Sequence, residues 1–271
     1  MFTVERIRSL DLPELQPYRT MRRQHEHRQQ GIFVAEGEKV VRRLLESTFS
    51  VVSLLVPEKW LVELEPLLHA RREEIRVFVA EKEILESMTG FSMYQGLLAV
   101  GRVPPQPTLA QIVSQVRRPY LFAALDGLSS AENTGAVVRN CAAFGVHGLL
   151  IGETGSSPFL RRAVRSSMGS LFHLPIVEGL NLVESLRWLR EQGVRCIAAH
   201  PHVEGRKLSQ ANFTTDCCIL LGSEGYGISS EALDVCEDAV AIPMAATVDS
   251  LNVSAAAAVF LFEANRQRGK A

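Results

Sequence analysis

The sequence predicts two α/β domains in series, and three observations carry that expectation. Apolar strand-like runs alternate with helix-period segments along nearly the whole chain, the pattern of a mostly parallel sheet covered by helices on both faces. Residues 102–119, RVPPQPTLAQIVSQVRRP, hold four of the twelve prolines. Pro104, Pro105 and Pro107 cannot sit together inside a helix or a central strand, so the chain divides near residue 106. Finally, 271 residues at 46% hydrophobic and 22% charged is globular composition that suits one large domain or two modest ones.

The elements follow in order. Leu12 to Gln29 reads as a helix, GIFVAEG as a short strand, and GEKVVRRLLES as a helix with apolar pairs four apart. SVVSLLVP is a buried strand followed by a helix to about Ala70. IRVFVA, EKEILESM and QGLLAVGRV then give strand, short helix and strand. Residues 1–105 form the first domain and 106–118 a linker with a short helix. From residue 119, PYLFAALDGL is an apolar strand ending in Asp-Gly, with a helix from Asn133 to Phe144 capped by Asn133. HGLLIG is a strand, Leu182, Leu186 and Leu189 mark a helix, and VRCIAAH, CCILLGSEG and DAVAIPM are further strands. An Ala- and Phe-rich helix closes the chain.

Several function classes are set aside at this level. Apolar runs such as Ala255 to Phe262 are far shorter than the ~20 residues a membrane span needs, and the N-terminus lacks the apolar centre of a secretory signal. A soluble cytoplasmic protein is expected. Cys141, Cys196, Cys217, Cys218 and Cys236 show no paired spacing, which fits buried free thiols. No metal site is expected; His200-Pro201-His202 is the nearest approach to one. The formal charge of -1 does not mark a nucleic-acid binder. The charge is unevenly spread, however. RTMRRQHEHR, residues 19–28, carries four Arg and two His against one Glu, and RRAVR covers 161–165. Such patches either track phosphates or form solvated helix faces.

Three polar or glycine-rich segments follow or interrupt strands of the second part, where open parallel sheets gather ligands. ENTGAVVRNCAAFGV (132–146) would place Arg139 and Asn140 in the first two turns of a helix. LLGSEGYGISSEAL (220–233) has three glycines in six residues, letting backbone approach a ligand. Its order matches neither the dinucleotide fingerprint nor a phosphate loop. AIPMAATVDSLNVSAAAA puts Asp249, Ser250, Asn252 and Ser254 at the entrance of the last helix, more polar groups than one cap requires.

Together, N-T-G-x-x-x-R-N, L-G-S-E-G-x-G-I and I-P-M-x-x-x-x-x-S-L-N-V-S-x-A-A-A resemble the three motifs of the SpoU (TrmH) family of RNA ribose 2'-O-methyltransferases, of the SPOUT class. The likeness covers residues 119–268, and RSSMGSLFHLPI (165–176) resembles the stretch between the first two motifs. RSLDLPELQPYRTMRRQ…GIFVAEGEKVVRRLL resembles the family's accessory substrate-binding domain, a fold similar to a ribosomal RNA-binding protein. The resemblance implies a methyltransferase domain over 119–271 with a deep trefoil knot, which general rules of chain threading would not suggest. It also implies S-adenosylmethionine as cofactor and a homodimer. The implied cofactor contacts are Ala199, Gly222, Gly227, Ile242, Met244 and Leu251. The implied catalytic group is Asn133, Arg139, Glu224, Ser250 and Asn252. Arg19, Arg22, Arg23 and Arg28 are the candidates for RNA phosphate contacts, and the Ala255, Ala258 and Phe262 face of the last helix suits packing on a partner.

On this reading the chain methylates a ribose 2'-oxygen in ribosomal RNA, with tRNA as the alternative substrate. The opposing class is a non-catalytic RNA-binding or ribosome-assembly factor on the same fold, which need not retain those polar residues. A nucleotide-binding protein of other chemistry lacks a phosphate-loop signature.

Overall fold

The structure, a computed structural model, describes residues 1–89, 96–201, 206–245 and 247–269. His202 of the His-Pro-His stretch and Ala246 lie outside them. Two compact units emerge: Met1–Pro105 with Phe159–Phe172, and Gln106–Pro158 with His173–Ala271.

In the first unit five strands, β1 (Phe2–Arg6), β2 (Ile32–Glu36), β3 (Val51–Val56), β4 (Ile75–Val79) and β5 (Leu98–Arg102), lie in the order β1-β4-β3-β5-β2. β1, β4 and β3 run parallel, and β5 is antiparallel to β3 and β2. β1 was not expected from the sequence: it is an edge strand with no buried residue, and Phe2 and Val4 alone are too short an apolar alternation to mark it. The helix expected over Leu12–Gln29 is three pieces, Pro13–Leu15, Gln16–Arg19 and Gln24–Gln29. Pro13 and Pro17 each open a piece, and the break lets Leu15, Tyr18, Met21 and His27 all face the interior.

The insertion at Phe159–Phe172 also departs from expectation, since the sequence placed it with the methyltransferase domain. Its first Arg explains why. Arg161 is mostly buried, 2.8 Å from Glu36 at the end of β2, and Arg165 approaches the same carboxylate at 3.5 Å. Arg43 donates to the Met168 carbonyl at 2.6 Å. Phe159 and Phe172 both sit 5.8 Å from the ring of Phe33. At least one arginine of RRAVR is therefore a structural ion-pair partner rather than a phosphate contact.

The second unit holds β6 (Leu121–Asp126), β7 (Gly148–Gly152), β8 (Ile176–Leu180), β9 (Arg195–Ala199), β10 (Arg206–Lys207), β11 (Cys217–Gly222) and β12 (Asp238–Ala241). Their order is β10-β12-β9-β11-β6-β7-β8, and every adjacent pair is parallel. β6, β7 and β11 are buried almost end to end, as continuous apolar runs between two helix layers must be. β8 escaped the sequence reading because Glu178 and Gly179 interrupt its apolar run, and β10 because it has two exposed residues.

Parallel pairing puts the carboxyl ends of all these strands on one edge. Four of the five cysteines are fully buried free thiols and Cys236 is half-buried. Burial pushes Cys141 and Cys236 up to about 12, so they stay protonated. Among the described residues no helix is long and apolar enough to cross a membrane, and no His/Cys/Asp/Glu group could hold a metal ion.

Two helices shape the site. Ala131–Ala143 and Val253–Gln267 pack against each other, joined by Asn265 Nδ2 donating to the Phe144 carbonyl at 2.9 Å. Arg268 pins the far end of the second helix by donating to the carbonyls of Pro119, Tyr120, Phe213 and Thr215. A helix fixed at its C-terminus by the segments that lead into β6 and β11 delivers its N-terminus to a fixed place.

Candidate cofactor and methyl-transfer site

The carboxyl ends of β9, β11 and β12 open onto one cavity of about 320 Å³, within the roughly 300–1,000 Å³ typical of small-molecule sites. Strand register assembles it: Val240 pairs with Ala199, Gly222 pairs with Asp126, and the His200 N–H donates to the Val240 carbonyl at 3.0 Å. Beyond β11 the chain turns back at once. Ser223 and Gly227 exchange two backbone hydrogen bonds of 2.9 and 3.0 Å, and the Tyr226 N–H donates to Ser223 Oγ at 3.1 Å. Gly227 takes the left-handed φ of 69° that closes this turn. A Cβ on Gly222 would overlap the backbone of Gly227, so only glycine fits there. Asp126 braces the loop's far side by accepting from Ser229 N–H and Oγ, both at 2.7 Å.

All six residues expected to contact a cofactor, Ala199, Gly222, Gly227, Ile242, Met244 and Leu251, line this cavity, with Ser250 and Glu224 beside them. The lining is chemically apt for S-adenosylmethionine. Leu221, Val240, Ile242, Leu251 and Phe260 supply apolar wall, and the glycine turn bares main-chain groups for hydrogen bonding. Leu251 is 39% exposed, apolar surface that a ligand would cover. His200, read from sequence as the nearest thing to a metal ligand, is part of the wall.

Beside the cavity the three polar segments meet in a single hydrogen-bonded chain. Asn133 Nδ2 donates to Glu224 Oε1, and Asn252 Nδ2 donates to Asn133 Oδ1 at 3.2 Å. Asn252 Oδ1 in turn accepts from Ser254 N–H at 2.9 Å and Ser254 Oγ at 2.6 Å, capping the last helix. Asn140 Nδ2 donates to the Ser254 carbonyl at 2.7 Å, a second tie the sequence did not single out. The surplus of polar groups at 249–254 thus has a structural explanation: Asn252 caps one helix and reaches across to another.

Two expectations change in detail. Asn133 is not the cap of its helix. Ser130 is, its Oγ accepting from the Asn133 N–H at 3.3 Å. The helix therefore starts two residues earlier, at Ala131, and Arg139 falls in its third turn rather than the first two. The shift frees the Asn133 side chain for Glu224 and Asn252. Arg139 and Ser250 are exposed and make no hydrogen bond or ion pair to another described residue. Arg19, Arg22, Arg23 and Arg28 belong to the first unit and are all exposed. Arg23 pairs with Glu26 at 3.1 Å, and Arg19 lies 4.0 Å from Asp11. Asn140 closes the first motif but was given no role, and Asp126, Ser130 and Tyr226 were missed. Of these only Asp126, a carboxylate ending an apolar strand, carried a readable signal.

A parallel sheet with a small-molecule cavity at its carboxyl edge, walled by a glycine turn and flanked by interlocked amides, is the frame of a protein that binds a small soluble ligand. The model of the SpoU rRNA Methylase family matches residues 120–262. An uncharacterized tRNA/rRNA methyltransferase of Mycobacterium bovis is 34% identical over 239 residues, covering 87% of this chain and 81% of its own. The 23S rRNA (guanosine-2'-O-)-methyltransferase RlmB of Photorhabdus laumondii is 32% identical over 209 residues, 76% of this chain and 85% of its own. Among solved structures, the SpoU methyltransferase AviRb of Streptomyces viridochromogenes, in complex with AdoMet, superposes with a TM-score of 0.82. It is 26% identical, and the match covers 95% of this chain and 98% of AviRb. The chain belongs to the SpoU rRNA methylase family. It is an S-adenosylmethionine-dependent RNA methyltransferase.

Proposed function

We propose that this protein methylates a ribose 2'-oxygen in ribosomal RNA, working in the cytoplasm as a homodimer, with the deep trefoil knot that the family resemblance implies. The observation that carries the reading is the Glu224–Asn133–Asn252 chain beside the cavity, because it holds the three motifs in one fixed arrangement. An RNA binder without catalysis has no need of that arrangement.

The cofactor, when bound, supplies an electrophilic methyl group on a sulfonium. The rest is the chain's work. Ala199, Gly222, Gly227, Ile242, Met244 and Leu251 hold the cofactor through apolar contact and main-chain groups. Glu224, Asn133 and Asn252 satisfy one another and keep the walls in register. Of the five residues expected to be catalytic, that leaves Ser250 and Arg139 uncommitted to other described residues. Arg139 binds the phosphate beside the target ribose, for which a planar guanidinium is well shaped, and Ser250 orients the hydroxyl. A guanidinium with a pKa above ~12 is a poor base. The hydroxyl proton therefore leaves to the adjoining phosphate or to water, and catalysis rests on alignment and charge.

Support for rRNA over tRNA comes from RlmB, which acts on 23S rRNA and aligns over most of both chains, and from the first unit, an accessory body bearing Arg19, Arg22, Arg23 and Arg28. Support for a dimer comes from the last helix. Ala255, Val259 (38% exposed) and Phe262 (50% exposed) form an apolar stripe at spacings of four and three, the register of one helix face. Ala258, expected on that face, is half-buried. Phe262→Glu should leave a folded monomer by light scattering; an unchanged oligomer would place the interface elsewhere.

The substrate reading is tested with labelled S-adenosylmethionine and total RNA from cells lacking the protein. Label in large rRNA supports it. Label confined to tRNA promotes the alternative, and cofactor binding without transfer to any RNA or ribosomal precursor supports the assembly factor.

A further inference from the structure

Tyr226 is 98% exposed, whereas Tyr18 and Tyr120 are buried. An aromatic ring offers a large apolar surface that proteins normally cover. This one stands at the tip of the turn that walls the cofactor cavity. Gly225 and Gly227 flank it, and a Cβ on either would meet nothing within 4 Å. The ring packs on no other aromatic ring and its hydroxyl has no hydrogen-bond partner among the described residues. Its stem, by contrast, is held. Two backbone hydrogen bonds close the Ser223–Gly227 turn, the Tyr226 N–H is tied to Ser223 Oγ at 3.1 Å, and the neighbouring Glu224 is fastened to Asn133.

A bare ring on a fixed stem is the arrangement by which proteins hold unpaired nucleotides, stacking the base on an aromatic face. Every base has such a face, so the contact grips without choosing. That suits an enzyme whose reacting atom is on the sugar. We propose that Tyr226 is the stacking platform for the base of the nucleotide being methylated, pinning it at the mouth of the cavity. The inference rests on the reading of this cavity as the RNA methyl-transfer site.

The experiment compares wild type with Tyr226→Phe and Tyr226→Ala in three readouts: cofactor affinity by calorimetry, affinity for unmodified rRNA transcripts with S-adenosylhomocysteine present, and steady-state methyl transfer to those transcripts. Tyr226→Ala should raise KM for RNA and the RNA Kd by about 5-fold or more, the scale of losing one stacked base. Cofactor affinity should stay within about twofold, and Tyr226→Phe should behave as wild type in all three. Unchanged RNA parameters in Tyr226→Ala would overturn the proposal. So would a loss of cofactor affinity, which would make the ring a cofactor wall, or a Phe variant as impaired as Ala. Should wild type transfer no methyl, the substrate reading fails, while the RNA titration still tests whether the ring holds a base.

Discussion

Asn133 illustrates how one side chain ties three distant parts of the sequence together. Its amide donates to Glu224 and its carbonyl oxygen accepts from Asn252, so both ends are committed. Asn133→Ala removes the middle of the chain without touching the hydrophobic core. The variant should keep near-normal stability, because the bonds it loses are at the surface, and lose about 100-fold in kcat, the penalty for about 1 Å of misplacement at a reacting centre. Equal losses in melting temperature and rate would make it a structural residue only. Arg139 is the opposite case, an exposed guanidinium with no partner among the described residues. Arg139→Lys keeps the charge and discards the planar fork. We expect about a tenfold or greater drop in methyl transfer, on the scale of a lost charge-assisted hydrogen bond. Near-normal rates would show that charge alone suffices.

At the scale of elements, the turn from β11 is the part with least freedom. Gly222 ends the strand, and any side chain there would run into the Gly227 backbone. Gly222→Ala must open the turn, and forced overpacking of this kind costs about 1–3 kcal/mol. Cofactor affinity should fall about tenfold or more, with secondary structure unchanged by circular dichroism. Wild-type affinity would mean the turn is not part of the cofactor wall. The elements also show what a sequence conveys. The apolar runs of β6, β7 and β11 and the glycine turn were plain, because continuous burial and close backbone approach each demand particular residues. β1 and β8 were not: the exposed edge strand β1 offers only Phe2 and Val4 as apolar positions, and Glu178-Gly179 breaks the other. The cap of the Ala131–Ala143 helix was misplaced by three residues because Ser130 and Asn133 are both good caps. Only the fold decides which is used, and that choice also fixed where Arg139 lies.

The whole molecule is two units whose sequence boundaries are uneven. The division at Pro105/Gln106 sits within the proline-rich stretch. The return of Phe159–Phe172 to the first unit was illegible, since it depends on Arg161 meeting Glu36 across 125 positions of sequence. Linear charge clusters cannot report such pairing, and for that reason RRAVR reads from sequence only as a phosphate patch or a solvated helix face. The same caution shapes the expectation for the first unit. If Arg19, Arg22, Arg23 and Arg28 touch RNA, changing all four to Gln should weaken binding and flatten its log–log salt dependence by about 0.7–0.9 per lost phosphate contact. Arg23 and Arg19, already near carboxylates, should contribute less than Arg28. An unchanged slope would remove these residues from the RNA surface.

On the proposed reading, the cavity and its interlocked amides direct a methyl group to a ribose oxygen. The most direct measurement is nucleoside analysis by mass spectrometry of unmodified rRNA incubated with the protein and S-adenosylmethionine. A single 2'-O-methylnucleoside, made by wild type and strongly reduced with Asn133→Ala, is the predicted result. A methyl group on a base, or equal product from both proteins, would contradict the account.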